Sequence, residues 1–223
     1  MLLAIDTSTR IVGIAIYDGI QVLSEMIWTS QDYHTVELAP AINAILSRAG
    51  FVIKDLRLCA VATGPGSFTG LRIGMAVAKG LALSNHLAII GIPTLDIVAE
   101  SQPVTPGVPL AAVLQAGRQR LAVGWYSTND GQWQLNPPIQ IMDAHELSHL
   151  IHEPTLVCGE LNEEQQHTLA RKYKNVILIS PAHSVRRPAL LAELAWKRWL
   201  AGDVDDPATL SPTYLNVGAP IPG

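Results

Sequence analysis

Asp6 ends the first apolar run of the chain and is followed at once by Thr7, Ser8 and Thr9. A carboxylate with three neighbouring hydroxyls suits a loop that holds a metal and a phosphate. It equally suits a turn in which Asp bonds its own backbone. Phosphate transfer from such a loop needs a second acidic loop facing it. The matching place in the second half is Gln115, in QAGRQR, a neutral amide. The pair is incomplete, and no catalytic residue is assigned. A second constellation, His145-Glu146-Leu147-Ser148-His149, fits HExxH, the helical spacing that sets two imidazoles and a glutamate base around zinc. Two histidines are only two ligands, and Thr155 stands where a third histidine would extend the motif. Glu160, Glu163 and Glu164 leave a third carboxylate open, but Pro154 cuts the helix short after His149. The pattern reads as a solvated helix face, and no metal site is assigned.

The most informative stretch is TGPGSFTGLRIGMAVAKGLAL, Thr63 to Leu83. A strand ends at Thr63, Gly64-Pro65-Gly66 makes a tight turn, and the Ser67 hydroxyl is placed to cap a helix. Gly70, Gly74 and Ala78 recur every four residues and so line one helical face. Each helical glycine costs about 1 kcal/mol relative to alanine, so the repetition needs a packing reason: a second backbone comes close. Phe68, Leu71, Arg72, Met75 and Lys79 lie off this stripe. With small or apolar residues on both sides, the helix is expected to be buried against its own sheet and against a partner. A glycine turn before a helix can also cradle phosphate. The P-loop ends in Gly-Lys-Ser/Thr, however, and this one reads Gly70-Leu71-Arg72; the dinucleotide fingerprint also fails.

The elements that must position these residues follow from periodicity. LLAID, RIVGIAIYDG and IQVLSEMIW read as three strands, with Asp18-Gly19 turning the second into the third. Leu38, Ile42, Ile45 and Leu46 share a stripe of a helix predicted over 33–48. LRLCAVAT is a strand, 67–84 a helix, LAIIGI a strand and PTLDIVAE a short helix. SQPVTPGVP, 101–109, has three prolines and no charge, and is the expected linker. After it the order repeats: three strands with a turn at Asn129-Asp130-Gly131, then helices and strands in alternation, ending in RPALLAELAWKRWLAG. The fold class is α/β, with two lobes, each a mixed βββαβα sheet. The expected division is 1–100, linker 101–109, and a smaller lobe 110–223 whose tail can return to the first. Arg186, Arg187, Lys197 and Arg198 read as solvated surface, with a minor nucleic-acid or partner contact as the sharper alternative. Trp196 and Trp199 read as inter-lobe core or tail packing.

Composition agrees. The 223 residues are 48% hydrophobic and 15% charged, enough for a core and too apolar for disorder. No run reaches the ~18 apolar residues of a membrane span, and the opening lacks the features of a signal peptide, so a cytoplasmic location is expected. Cys59 and Cys158 read as buried thiols. The net charge of −4 is spread over both halves and offers no surplus for neutralising phosphates, so tight nucleic-acid binding by this chain alone is not expected.

GPGSFTGLRIG resembles the hallmark of the TsaB (YeaZ) family, and AIDTST at the start, HTVELAPAINAIL at the first helix and GIPTLD resemble that family's first lobe. The second lobe is similar only loosely, in element order and in the PTYL tail. The resemblance implies an actin-like ATPase fold (ASKHA, ribonuclease H-like). It implies a non-catalytic subunit of the complex that makes N6-threonylcarbamoyladenosine beside the tRNA anticodon. It further implies pairing with a TsaD-like transferase, a TsaE-like ATPase as third member, a homodimer when alone, and tRNA held mainly through the complex. ATP/ADP and metal are expected on the partner subunits and none firmly on this chain. Helices one and two pack as a bundle in this family. Carried over, that face holds His34, Leu38, Ile42, Phe68, Leu71, Arg72, Met75 and Lys79, with ordinary core as the alternative for Leu38 and Ile42. Relatives often resemble Asp-Ala-Arg where Gln115 stands, and the paired histidines of TsaD-type proteins are absent from PTLDIVAES. Asp6 to Thr9 would then be a vestigial phosphate loop.

Overall fold

The computed structural model describes residues 1–31, 34–117, 119–171 and 174–215, with the side chains of residues 34 and 35 outside that description. Leu2–Asp6 (β1) is buried along its whole length, as is Leu58–Gly64 (β4). Continuous burial is what parallel strands covered on both faces require, and β1 and β4 pair in parallel. β1 also pairs antiparallel with Ile11–Tyr17 (β2), which pairs with Val22–Thr29 (β3), while β4 carries Ala88–Pro93 (β5) on its other side. The sheet order is β3-β2-β1-β4-β5. Alternation along β1 sorts the core into two faces. Leu3 and Ile5 pack with Leu38, Ile42, Ile45 and Leu46 of His34–Ala49 (α1) and with Met75, Ala78 and Ala82 of Phe68–Asn85 (α2). Leu2 and Ala4 pack with Leu191, Ala192 and Ala195 of a helix near the carboxy terminus, Pro188–Leu200.

The second sheet repeats the topology. After Thr94–Glu100 (α3), the strands Leu110–Gln115 (β6), Leu121–Asn129 (β7), Gln132–Met142 (β8), Thr155–Gly159 (β9) and Val176–Leu178 (β10) take the order β10-β9-β6-β7-β8. The β7–β8 turn places Asp130 and Gly131 at φ +48° and +74°, the pair of positive values that a tight hairpin needs. Leu147 of Ala144–Leu150 (α4) and Leu169 of Glu163–Ala170 (α5) join the core over β6, β7 and β9. The shortening expected of this lobe lies in its helices: α4 and α5 have 7 and 8 residues, against 16 and 18 for α1 and α2, while both sheets have five strands.

The division of the chain differs from the expected one. The first unit is Met1–Ile97 with Arg186–Thr213, and the second is Val98–Val185 with, among the described residues, Tyr214 and Leu215. The expected linker therefore lies inside the second unit; there Gln102 donates to the His183 carbonyl at 2.7 Å and its own carbonyl accepts from Trp133 Nε1 at 2.9 Å. The final helix, Pro188–Leu200 (α6), belongs to the first sheet. Its apolar stripe needed a sheet face, and periodicity does not say which of two like sheets supplies it. Trp196 and Trp199 pack accordingly within the first unit, Trp196 edge-on to Tyr17. No helix among the described residues is long and apolar enough to cross a membrane.

Candidate functional site

The loop after β1 is closed in on itself. Asp6 Oδ1 accepts from the Ser8 N–H at 2.9 Å and from the Ser8 hydroxyl at 2.5 Å. Its other oxygen, Oδ2, accepts from Arg186 Nε, and both side chains are 1% exposed. Arg186 Nη2 goes on to the Thr9 hydroxyl and the Ile11 carbonyl, each at 3.0 Å. Thr7 and Ser8 are equally buried. A carboxylate held by a buried guanidinium and two hydrogen bonds has its charge compensated within the chain. A cation placed at this carboxylate would compete with Arg186 for Oδ2 in a dry environment, which fits a metal–nucleotide pair poorly. Arg186 is thus a first-unit core residue rather than solvated surface. Nothing in the sequence pointed to it: it lies 180 positions from Asp6 and beside Arg187, which does face solvent while pairing with Glu25.

The glycine stripe packs on this same loop. Ser67 N–H donates to the Ser8 carbonyl at 2.6 Å, and the Thr7 hydroxyl donates to the Gly70 carbonyl at 2.7 Å. A Cβ on Gly66 would strike the Ser8 carbonyl oxygen, one on Gly70 the Thr7 carbonyl oxygen, and one on Gly74 the Thr7 hydroxyl. The close backbone inferred from the spacing is there, and it is the chain's own. Ser67 caps α2 as its position implied, accepting from the Gly70 N–H at 3.2 Å. Gly64, at φ +110°, opens the turn.

The residues assigned to a partner face divide. Leu38, Ile42, Leu71 and Met75 are 1–4% exposed and sit in the first unit's core, so they present no surface. An apolar stripe at helical spacing shows that something covers it, and here that is the chain's own sheet. Phe68 and Arg72 do face outward, with the guanidinium 3.6 Å above the ring; Lys79 is half-buried. The His34 side chain lies outside the described residues. Phe68, Arg72, Ala76 and Gly80 form an exposed row on α2, four residues apart, with Leu83 nearby. On α1 the exposed row is Val36, Pro40, Ala44 and Ser47. The sequence held this signal as the complement of the buried stripe.

At the end of β6, Gln115 Nε2 donates to the Glu160 carbonyl at 3.0 Å and to Gln165 Oε1 at 2.6 Å. Gln165 is 2% exposed and also receives the Asn162 N–H. In the HExxH segment His145 and His149 are exposed, and Glu146 accepts from the Asp143 N–H in a capping box. That glutamate is a helix cap. Among the described residues no three metal-ligating side chains converge.

A family model described as TsaD, tRNA N6-adenosine threonylcarbamoyltransferase, matches residues 21–189. The tRNA threonylcarbamoyladenosine biosynthesis protein TsaB of Bacillus subtilis is 34% identical over 130 residues, 58% of this chain and 56% of that protein. TsaB of Escherichia coli is 37% identical over 99 residues, 44% of this chain and 42% of that protein. The chain spans about half the length of the curated relatives it matches. Among solved structures, YeaZ from Pseudomonas aeruginosa is similar with a TM-score of 0.77 at 21% identity, over 96% of this chain and 99% of that one. The activator of the 2-hydroxyisocaproyl-CoA dehydratase from Clostridium difficile with bound ADPNP is similar with a TM-score of 0.52 at 9% identity, over 92% and 98%. At these identities the structures speak for the fold alone, an α/β fold of the actin-like ATPase type.

Proposed function

The chain belongs to the TsaB (YeaZ) family, within the group matched by the TsaD model, and from that premise we propose that it is a non-catalytic subunit in N6-threonylcarbamoyladenosine formation on tRNA. It pairs with a TsaD-like transferase and supports that enzyme's competent state. A TsaE-like ATPase as third member, and a homodimer of the chain alone, belong to the same reading. ATP, ADP and metal stay with the partners, and tRNA is held mainly by them.

The observation that carries the reading is the exposed row of α2. Phe68, Ala76 and Leu83 stand outward on a helix whose opposite side already packs on its own sheet, and Phe68 and Leu83 are 55% and 65% exposed. Beside it α1 exposes Val36 at 69%. Small and apolar residues on two helices of one layer suit helix-on-helix docking, with Phe68 and Arg72 as the aromatic and guanidinium anchors. The sealed Asp6 loop supports the non-catalytic half of the proposal.

The test is copurification with a TsaD-like protein together with tRNA modification in a reconstituted system. Ala76→Glu and the double variant Phe68→Ala/Arg72→Ala should abolish pairing and stimulation, with the melting temperature of the chain unchanged. Leu71→Glu would unfold the first unit instead and is uninformative about pairing. Pairing that survives both surface variants would overturn the face. ATP turnover by the pure chain, lost in Asp6→Asn, would overturn the non-catalytic reading.

A further inference from the structure

The last part of the first unit, residues 203–213, lies along the open edge of β5 and the end of β4. Asp205 makes a single antiparallel bridge with Ile89, donating its N–H to the Ile89 carbonyl at 3.0 Å. Its carboxylate accepts the Gly91 N–H at 2.8 Å, and Arg198 donates to the Gly91 carbonyl at 2.7 Å. Two side chains thus take the edge groups that a sixth strand would take. Arg198 is itself held by Asp203 at 2.6 Å and Asp205 at 3.3 Å. Asp206 turns the segment, its carboxylate accepting from the Ala208 N–H and its carbonyl from the Leu210 N–H. Leu210 then joins the core cluster, and Thr213 donates to the Thr63 carbonyl at 2.7 Å. Two glycines are cut to fit. A Cβ at Gly91 would meet the Thr63 methyl of β4 first and Leu210 Cδ1 at 2.8 Å, and one at Gly64 would run into the Thr213 carbonyl oxygen.

The attachment is nevertheless thin. Between 203 and 213 no residue is buried, and all but Asp205, Pro207, Leu210 and Pro212 are exposed. Segments with few buried apolar contacts open at lower free energy than the core beside them. The far end of this one rests on Thr63 and Gly64, which lead directly into Ser67 and α2. We infer that residues 203–213 are a detachable strap: docked, it covers the β5 edge and pins the glycine turn that starts α2; released, it leaves the strands paired and frees that turn. Because the exposed row of α2 begins at Phe68, the strap also sets how firmly that row is presented, a consequence that rests on the function proposed above.

Hydrogen exchange on the full chain tests this. In Thr213→Pro, which lacks the donor to Thr63, and in Leu210→Ser, the Gly91, Gly70 and Leu71 amides should exchange about tenfold faster, roughly what one lost net hydrogen bond produces. Amides of β1 and β4 should keep their rates. Asp205→Asn, which retains an acceptor for Gly91, should protect that amide better than Asp205→Ala. The strap is overturned if Gly91 speeds up while Gly70 and Leu71 do not, since the turn is then independent of it. It is overturned too if β1 and β4 amides accelerate in step, since the segment is then ordinary core. In a parallel arm, the strap variants should bind a TsaD-like protein more weakly. Failure of the wild-type chain to bind that protein would count against the proposed function and leave the exchange result standing.

Discussion

Asp6 and Gln115 occupy the same place in two sheets of the same topology, each the last residue of the central strand, and the two loops are closed by different chemistry. Asp6 is charged, so its burial required a cation, supplied by Arg186. Gln115 is neutral, and its amide is met by a carbonyl and by the Gln165 side chain. A loop in this position can therefore be satisfied from within in two ways: with a neutral residue met by a carbonyl and an amide, or with an acidic one met by a buried cation. Residue type alone distinguishes the first way from an open site and is blind to the second.

The contrast is broken or upheld most strongly by Arg186→Met. It strands the Asp6 carboxylate in a dry site, and loss of one partner of a buried pair costs about 3–5 kcal/mol. Urea denaturation should show a drop of that order, and Asp6→Asn combined with Arg186→Met should recover most of it. If the single variant is no less stable than a neutral cut in the second unit, the charge of Asp6 is not what Arg186 serves.

That neutral cut is Gln165→Leu. It removes the acceptor for the Asn162 N–H and one of two acceptors for Gln115 Nε2, while the Glu160 carbonyl remains. A buried donor left unmet costs about 1–3 kcal/mol, and here Asn162 is exposed and Gln115 only partly buried, so this loss should lie at or below that range and be smaller than that of Arg186→Met in the same urea titration. Equal losses would mean that the two closures differ in appearance only.

Much of this molecule is legible in its sequence, and the exceptions have a common cause. Strand positions follow from apolar runs and turn residues: LLAID and LCAVATG are buried along their whole length because they carry almost no polar side chain, and Asp130-Gly131 makes the hairpin it announces. The HExxH segment was read as a solvated helix face because Pro154 stops its helix soon after His149, and His145, Glu146 and His149 are exposed. The stripe of Gly70 and Gly74 declared a close neighbour, and it is there: the Thr7 carbonyl at Gly70 and the Thr7 hydroxyl at Gly74. What a stripe does not declare is the owner of the surface that covers it. Leu38, Ile42, Leu71 and Met75 were placed on the partner face, with ordinary core as the alternative for Leu38 and Ile42; Leu38, Ile42 and Met75 pack in the first unit's core cluster, and Leu71 is 1% exposed. The apolar side of α6 was assigned to the second lobe, and the first sheet takes it. Arg186 carries no local signal, because its role depends on a contact 180 residues away in the chain.

The two cysteines allow the finest comparison, because they too are equivalent. Cys59 pairs with Leu3 and Cys158 with Ala112, each three residues before the loop residue that ends its central strand. Burial pushes both thiols up to about 12; for Cys158 the Ser101 hydroxyl pulls slightly the other way. An unfolded cysteine titrates near about 8.5, so as pH rises above that value the unfolded chain releases protons first. Stability should therefore be indifferent to these groups below about pH 8 and fall with rising pH from there toward 12. Because the thiolate is the reacting form, neither cysteine should be modified by a thiol reagent at pH 8 until the chain opens. Labelling in low urea then compares the sheets directly. Equal rates at Cys59 and Cys158 mean that the two sheets open together, whereas faster labelling at Cys158 would mark the second, with its short helices, as the unit that opens first.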